Sequence, residues 1–258
     1  MNSVILVLAS VGIFTGATVF SGTALATAKM TARFAQGTSV VLPSPLPLSV
    51  PQFSPSVPKD VVAETMADFT FIQGIQGTDG TPIYRKIFGA AVDGSNLNTF
   101  FSDRITGFDM DDCGGGSGVA ACVQPMFDSH IMWLTQNYVT FKIPQIYRIS
   151  VILHESRHTE DSENNWPHAS CPVPYQDDTG ADIRGIISGT LLEGKPACDT
   201  TEYGAYGLEA AFLKNIEMFC SNCSAKVQMD GKLFGEDTVK RIIGKTASAA
   251  LRKDLGIQ

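Results

Sequence analysis

The chain has 258 residues, a formal net charge of −7, a hydrophobic fraction of 44% and only 17% charged residues. No run of lysine or arginine breaks the acidic balance, so the clustered basic surface that nucleic acid or an anionic membrane requires is missing. The length allows one large domain or two small ones.

Residues 4–26, VILVLASVGIFTGATVFSGTALA, carry no charge and close on Ala24-Leu25-Ala26, a small-x-small pattern of the kind cut during export. No lysine or arginine precedes the run, and it is long enough to span a bilayer, so a retained anchor competes with a cleaved signal. Residues 1–28 are therefore read as a signal peptide or N-terminal membrane anchor. Either form places the remainder outside the cytoplasm, periplasmic or extracellular, with a membrane tether if the segment is kept. Residues 37–58 hold six of the 13 prolines and no charge, which favours an extended chain. Residues 29–58 are read as a linker and 59–258 as the folded domain, long enough for one core.

Within that domain, VVAETMADFTFIQGI (61–75) suggests a first helix. TDGTPIYRKIFG (78–89) opens on an Asp-Gly turn and reads as a strand, as does NTFFSDRITGFDM (98–110). HIMWLTQNYVTF (130–141), rich in β-branched and aromatic residues, is the strongest strand candidate. Pro144 then suits a helix start, and Ile146, Ile149, Ile152 and Leu153 fall on one apolar stripe. A second helix is expected over 204–219 and a basic amphipathic one over 236–256. Strands followed by helices make the class α+β.

Six cysteines fit an oxidising compartment and allow 15 full pairings, among which sequence alone does not choose. Local spacing suggests Cys113 with Cys122 around a glycine-rich loop and Cys220 with Cys223 in CSNC, leaving Cys171 with Cys198. A zinc ribbon would need a second CxxC pair, which the chain lacks.

Two of the four histidines, His154 and His158, lie four apart in HESRH with Glu155 between them. On a helix that spacing stacks the two imidazoles one turn apart on one face, so both can reach one ion. Glu155, one step around, lies where it can take a proton from an activated water.

HESRH, with a strand before it and a helix after it, resembles the zincin-type zinc metallopeptidases over about 80 residues. The resemblance implies a zincin-like α+β fold with a small, mostly antiparallel sheet and further C-terminal helices. It implies Zn2+ held by His154 and His158, Glu155 as general base, and strand 130–141 as the edge that pairs with an extended peptide. Arg157 departs from the uncharged residues common in the motif's centre; it is expected to point away from the ion and pair with Asp161.

Three protein ligands are usual at a catalytic zinc, so a third is required. A metzincin would place a glycine at 161 and a ligand at 164, where this chain has Asp161 and Asn164. His168 arrives four residues later and ranks first; Glu202, in a gluzincin-like ExxA setting, is the alternative, and Glu209 a weaker one. The aspzincins end in an acidic ligand shortly before Tyr-Gly, and TTEYGAYG resembles that with one extra residue. Tyr206 is either an oxyanion donor or a packing residue, and His130 either lines the cleft or faces water. The expected activity is an exported zinc metalloendopeptidase acting on a peptide or protein substrate. The alternatives are a cell-wall peptide amidase or an inactive zincin-fold binding module.

Overall fold

The computed structural model describes residues 50–258 apart from 103, 115 and 117. The expected signal or anchor (1–28) and most of the linker lie outside the described residues. In chain order the elements are β1 (Gln52–Phe53), α1 (Lys59–Gly74), α2 (Pro82–Phe88), α3 (Gly94–Ser102) and β2 (Gly107–Met110). Then come β3 (Ala121–Gln124), the single turn α4 (Pro125–Asp128), β4 (Ser129–Leu134), α5 (Gln136–Thr140) and α6 (Gln145–Arg157). After a 3-10 turn at Asp161–Glu163 follow β5 (Ala169–Ser170), β6 (Pro196–Cys198), α7 (Ala205–Phe219), α8 (Ala225–Val239) and α9 (Lys245–Asp254).

The α+β class holds, but the sheet is mixed rather than mostly antiparallel. Its order is β1-β2-β4-β3; β1–β2 and β2–β4 are parallel, and only β3–β4 is antiparallel. The parallel β1–β2 pair is joined through three helices, as parallel neighbours require a crossover. The fold also begins before residue 59. Gln52 and Phe53 pair with β2, Phe53 stacks on Phe108 at 5.1 Å, and Val57 is buried.

Two segments read as strands are helical for local reasons. Thr81 caps α2 by accepting from the Tyr84 N–H, and Pro82 takes the first helical position, where its missing donor is not needed. The stretch 98–110 divides: its first half ends α3, and β2 starts only at Gly107. Strand 130–141 is likewise shorter than expected. Thr135 accepts from Asn137 N at 3.1 Å and starts α5, so the strand stops at Leu134. Nor is β4 an edge, because β2 and β3 flank it; the edges are the two-residue β1 and β3. The C-terminal basic segment forms the end of α8 and all of α9, with a break at 240–244.

The α6 stripe is as the spacing suggests: Ile146, Ile149, Ile152 and Leu153 are all buried in the main core. Each such side chain contributes on the order of 1.5–3 kcal/mol by leaving water. The helix is also pinned to α1 by an ion pair. Arg148 donates from Nε and Nη2 to the two Asp68 carboxylate oxygens at 2.8 Å each, and from Nη1 to Ile143 O at 2.7 Å. Asp68 is fully buried, and burial holds its pKa above the usual range despite the guanidinium. Arg148→Met strands that carboxylate, so unfolding stability should fall by about 3–5 kcal/mol. Denaturant unfolding of the variant checks this, and a loss under about 1 kcal/mol would contradict it.

All six cysteines are paired, as Cys113–Cys122, Cys171–Cys198 and Cys220–Cys223. Three disulfides fit an oxidising, exported location. Among the described residues no helix is long and apolar enough to cross a membrane.

Candidate metal centre

The last turn of α6 carries His154, and His158 stands at its C-terminal cap. The chain must then reverse to bring a third group back over the helix. It does so through Asn164, Asn165 and Trp166, three consecutive residues with positive φ of 52°, 59° and 48°. Left-handed backbone is tolerable for asparagine but costs roughly 1–2 kcal/mol for a residue such as tryptophan. Trp166 is therefore held from outside: its Nε1–H donates to Glu160 at 3.0 Å, and the Arg157 guanidinium lies 4.3 Å over its ring. Arg157 itself donates to both Glu160 oxygens and to Tyr203 O. Its partner is thus Glu160 rather than Asp161, which instead accepts from Asn165. Arg157 thus clamps the loop that carries the chain from α6 round to His168.

Beyond this turn β5 pairs with β6, and the Cys171–Cys198 disulfide ties the two together. His168 enters β5 and Asp199 leaves β6, so they arrive side by side. The result is a cluster in which the Nε2 atoms of His154 and His168 lie 3.1 Å apart and those of His158 and His168 3.2 Å apart. These three residues could hold a metal ion. Glu202 is outside this group, in the turn before α7.

Each imidazole is oriented through its other nitrogen. His154 Nδ1 faces Glu209 Oε2 at 3.1 Å, His158 Nδ1 faces the Asn165 carbonyl at 2.8 Å, and His168 Nδ1 faces Asp199 Oδ1 at 2.9 Å. A carbonyl or ionised carboxylate oxygen only accepts, so with Glu209 and Asp199 ionised each Nδ1 carries the proton and each Nε2 presents a lone pair. Three lone pairs thus converge with no proton between them, an arrangement that repels unless a cation sits among them. The spacing suits one: donors about 2.0–2.1 Å from a tetrahedral zinc lie roughly 3.3 Å from each other. Burial and the neighbouring histidines hold His158 well down, to about 3, and burial also lowers His154, so both stay neutral and able to ligate.

The supporting carboxylates are themselves fixed. Asp199 accepts the Tyr206 N–H at 2.8 Å through its second oxygen. Glu209, reading as a weak ligand candidate in the sequence, instead accepts from Ser150 at 3.2 Å and Thr238 at 3.4 Å while holding His154. It joins α6, α7 and α8 at one buried point, and burial pushes its pKa up to about 7. No motif spacing singles out Asp199; its place directly after Cys198 is the one signal the sequence offers for it.

A cleft of about 660 Å³ opens over the cluster, walled by β3 on one side and α6 on the other. Glu155 lies on its floor, 6% exposed, facing the Val123 N–H of β3, and burial pushes its carboxyl up to about 8. A cation at the three Nε2 atoms would draw it back down. Tyr206 stacks on His168 at 4.6 Å and accepts a hydrogen bond from Arg241 Nη1 at 2.9 Å. Burial raises the phenol to about 12, so it keeps its proton. That O–H finds no acceptor among the described residues, while the ring packs on His154 and His168. His130 does not: it is exposed at the start of β4, with Nδ1 against Arg104 O.

A scan against protein-family models and searches of curated proteins and solved structures return no match to this chain.

Proposed function

We propose that the chain is an exported zinc metallopeptidase with a zincin-like fold. The observation that carries this is the meeting of three imidazole lone pairs and one buried carboxylate, Glu155, in a single open cleft. His154, His158 and His168 would hold zinc, which supplies a Lewis acid for the substrate carbonyl and lowers the pKa of a water. Glu155 takes a proton from the attacking water and returns it to the leaving amine. Tyr206 donates its free O–H to the oxygen on which negative charge grows, and the Arg241 N–H on the phenol oxygen makes it a better donor.

The peptide lies extended along β3. That strand is paired on one side only, by β4, which leaves its other side to a further strand apart from the Val123 N–H that Glu155 faces. Substrate specificity then comes from the cleft wall, and the endopeptidase reading rests on a cleft that runs beside this edge. Glu209, Asn165 and Asp199 keep the ligands in one tautomer and one orientation, which is what makes the site ready before substrate arrives.

The test is hydrolysis of a mixed library of quenched fluorescent peptides by the purified chain. Cleavage should disappear on chelation and return with added zinc, and zinc loading should raise Tm. One kcal/mol is worth about 2–4 °C for a domain of this size. Stoichiometric zinc without cleavage of any peptide would leave a metal-binding module instead.

A further inference from the structure

We propose that Arg241 is a specificity residue that binds a carboxylate of the substrate, beside the bond to be cleaved. This rests on the peptidase reading of the cleft. Arg241 follows α8, and its backbone is fixed by the same strand that carries the metal-site support: Asp199 N donates to Arg241 O at 2.9 Å and Ile243 N to Asp199 O at 2.8 Å. The guanidinium projects into the cleft, 4.5 Å from the Tyr206 ring, whose other neighbours are His154 at 4.5 Å and His168 at 4.6 Å. One phenol ring separates the cation from the ligand cluster.

Its hydrogen bonding is unfinished. Nη1 donates to Tyr206 Oη at 2.9 Å and, at 3.4 Å, to Ala197 O; both acceptors are neutral. Among the described residues no carboxylate lies within 4.0 Å of it, and Nε and Nη2 have no partner. Other arginines withdrawn from solvent are neutralised: Arg148 by Asp68 and Arg157 by Glu160. The acids nearest Arg241 are engaged elsewhere, Glu209 with His154 and Asp237 with Lys240. Arg241 is partly buried and lines the cleft, and its planar fork fits a carboxylate with two parallel N–H bonds. An incoming carboxylate completes it. A glutamate or aspartate side chain and a free peptide C-terminus offer the same group.

Three matched pentapeptides separate these sources: Ac-Ala-Ala-Glu-Ala-Ala-amide, its Gln counterpart, and the Gln peptide with a free C-terminus. Binding is measured by calorimetry to the zinc-loaded Glu155→Gln chain, which does not consume them. One of the two carboxylate-bearing peptides should bind about 10- to 100-fold tighter than the neutral one. Which one it is names the source. Arg241→Met should bring that ratio to about one, and Arg241→Lys should restore part of it. A carboxylate can also bind zinc directly, so the ratio is read again after chelation, where it should persist. Equal affinities, no binding, a ratio that survives Arg241→Met, or one that vanishes with the metal would each overturn the proposal. Turnover by the unaltered chain is a separate reading: cleavage without carboxylate preference removes this role of Arg241 alone. Carboxylate preference without cleavage removes the peptidase reading and leaves the binding site.

Discussion

Purified chain should carry one zinc ion, His168→Ala none, and Glu202→Ala still one. The three outcomes follow from where the donors lie. His168 Nε2 is the common neighbour of the other two imidazoles, 3.1 and 3.2 Å from them, so its loss leaves a two-ligand site. Two imidazoles do not fill a tetrahedral protein site, and affinity should drop by more than supporting residues command. Asp199→Ala sets that scale. It removes only the acceptor that orients His168, and losses at such positions run to about 10–100-fold in metal affinity. Metal analysis by mass spectrometry, with competition titration for the affinities, reads all four proteins. If Glu202→Ala loses zinc while His168→Ala keeps it, the assignment of the third ligand is wrong.

Much of this site was legible in the sequence because helices keep time. Residues four apart must share a face, so HESRH on the stripe of Ile146, Ile149, Ile152 and Leu153 could be placed before any coordinates were known. Local spacing suggests two of the three disulfides and leaves the third by remainder, and that third, Cys171–Cys198, ties β5 and β6 together beside His168. What spacing could not supply was the reversal at 164–166. Its conformation depends on Arg157, Glu160 and Trp166 closing on one another across the turn, a contact that no periodicity encodes.

The strands failed for a related reason. A four-residue strand such as β2 offers two alternations, too few to distinguish it from the end of a helix, and side-chain caps at Thr81 and Thr135 decided the local outcome. Edge position is a property of the whole sheet. The choice of β4 over β3 as the substrate edge could not be settled within one segment.

Glu155→Gln should keep zinc and lose peptide hydrolysis by about 10²- to 10⁴-fold, the usual contribution of a positioned acid–base group. The amide matches the carboxylate in size and can still meet the Val123 side of the cleft, but it cannot accept a proton and return it. Nor should the fold suffer. Glu155 is 6% exposed and buried among groups that do not neutralise it, so its charge opposes folding, and a neutral amide relieves that. Compared without metal, Tm of the variant should therefore equal or exceed that of the unaltered chain, the pattern of a residue kept for chemistry at the expense of stability. The histidines behave oppositely, since removing one takes the metal and its stabilisation together. Activity within tenfold of the unaltered chain, with zinc retained, would mean that another group moves the proton. Tyr206, whose O–H has no acceptor among the described residues, would be the next residue to test.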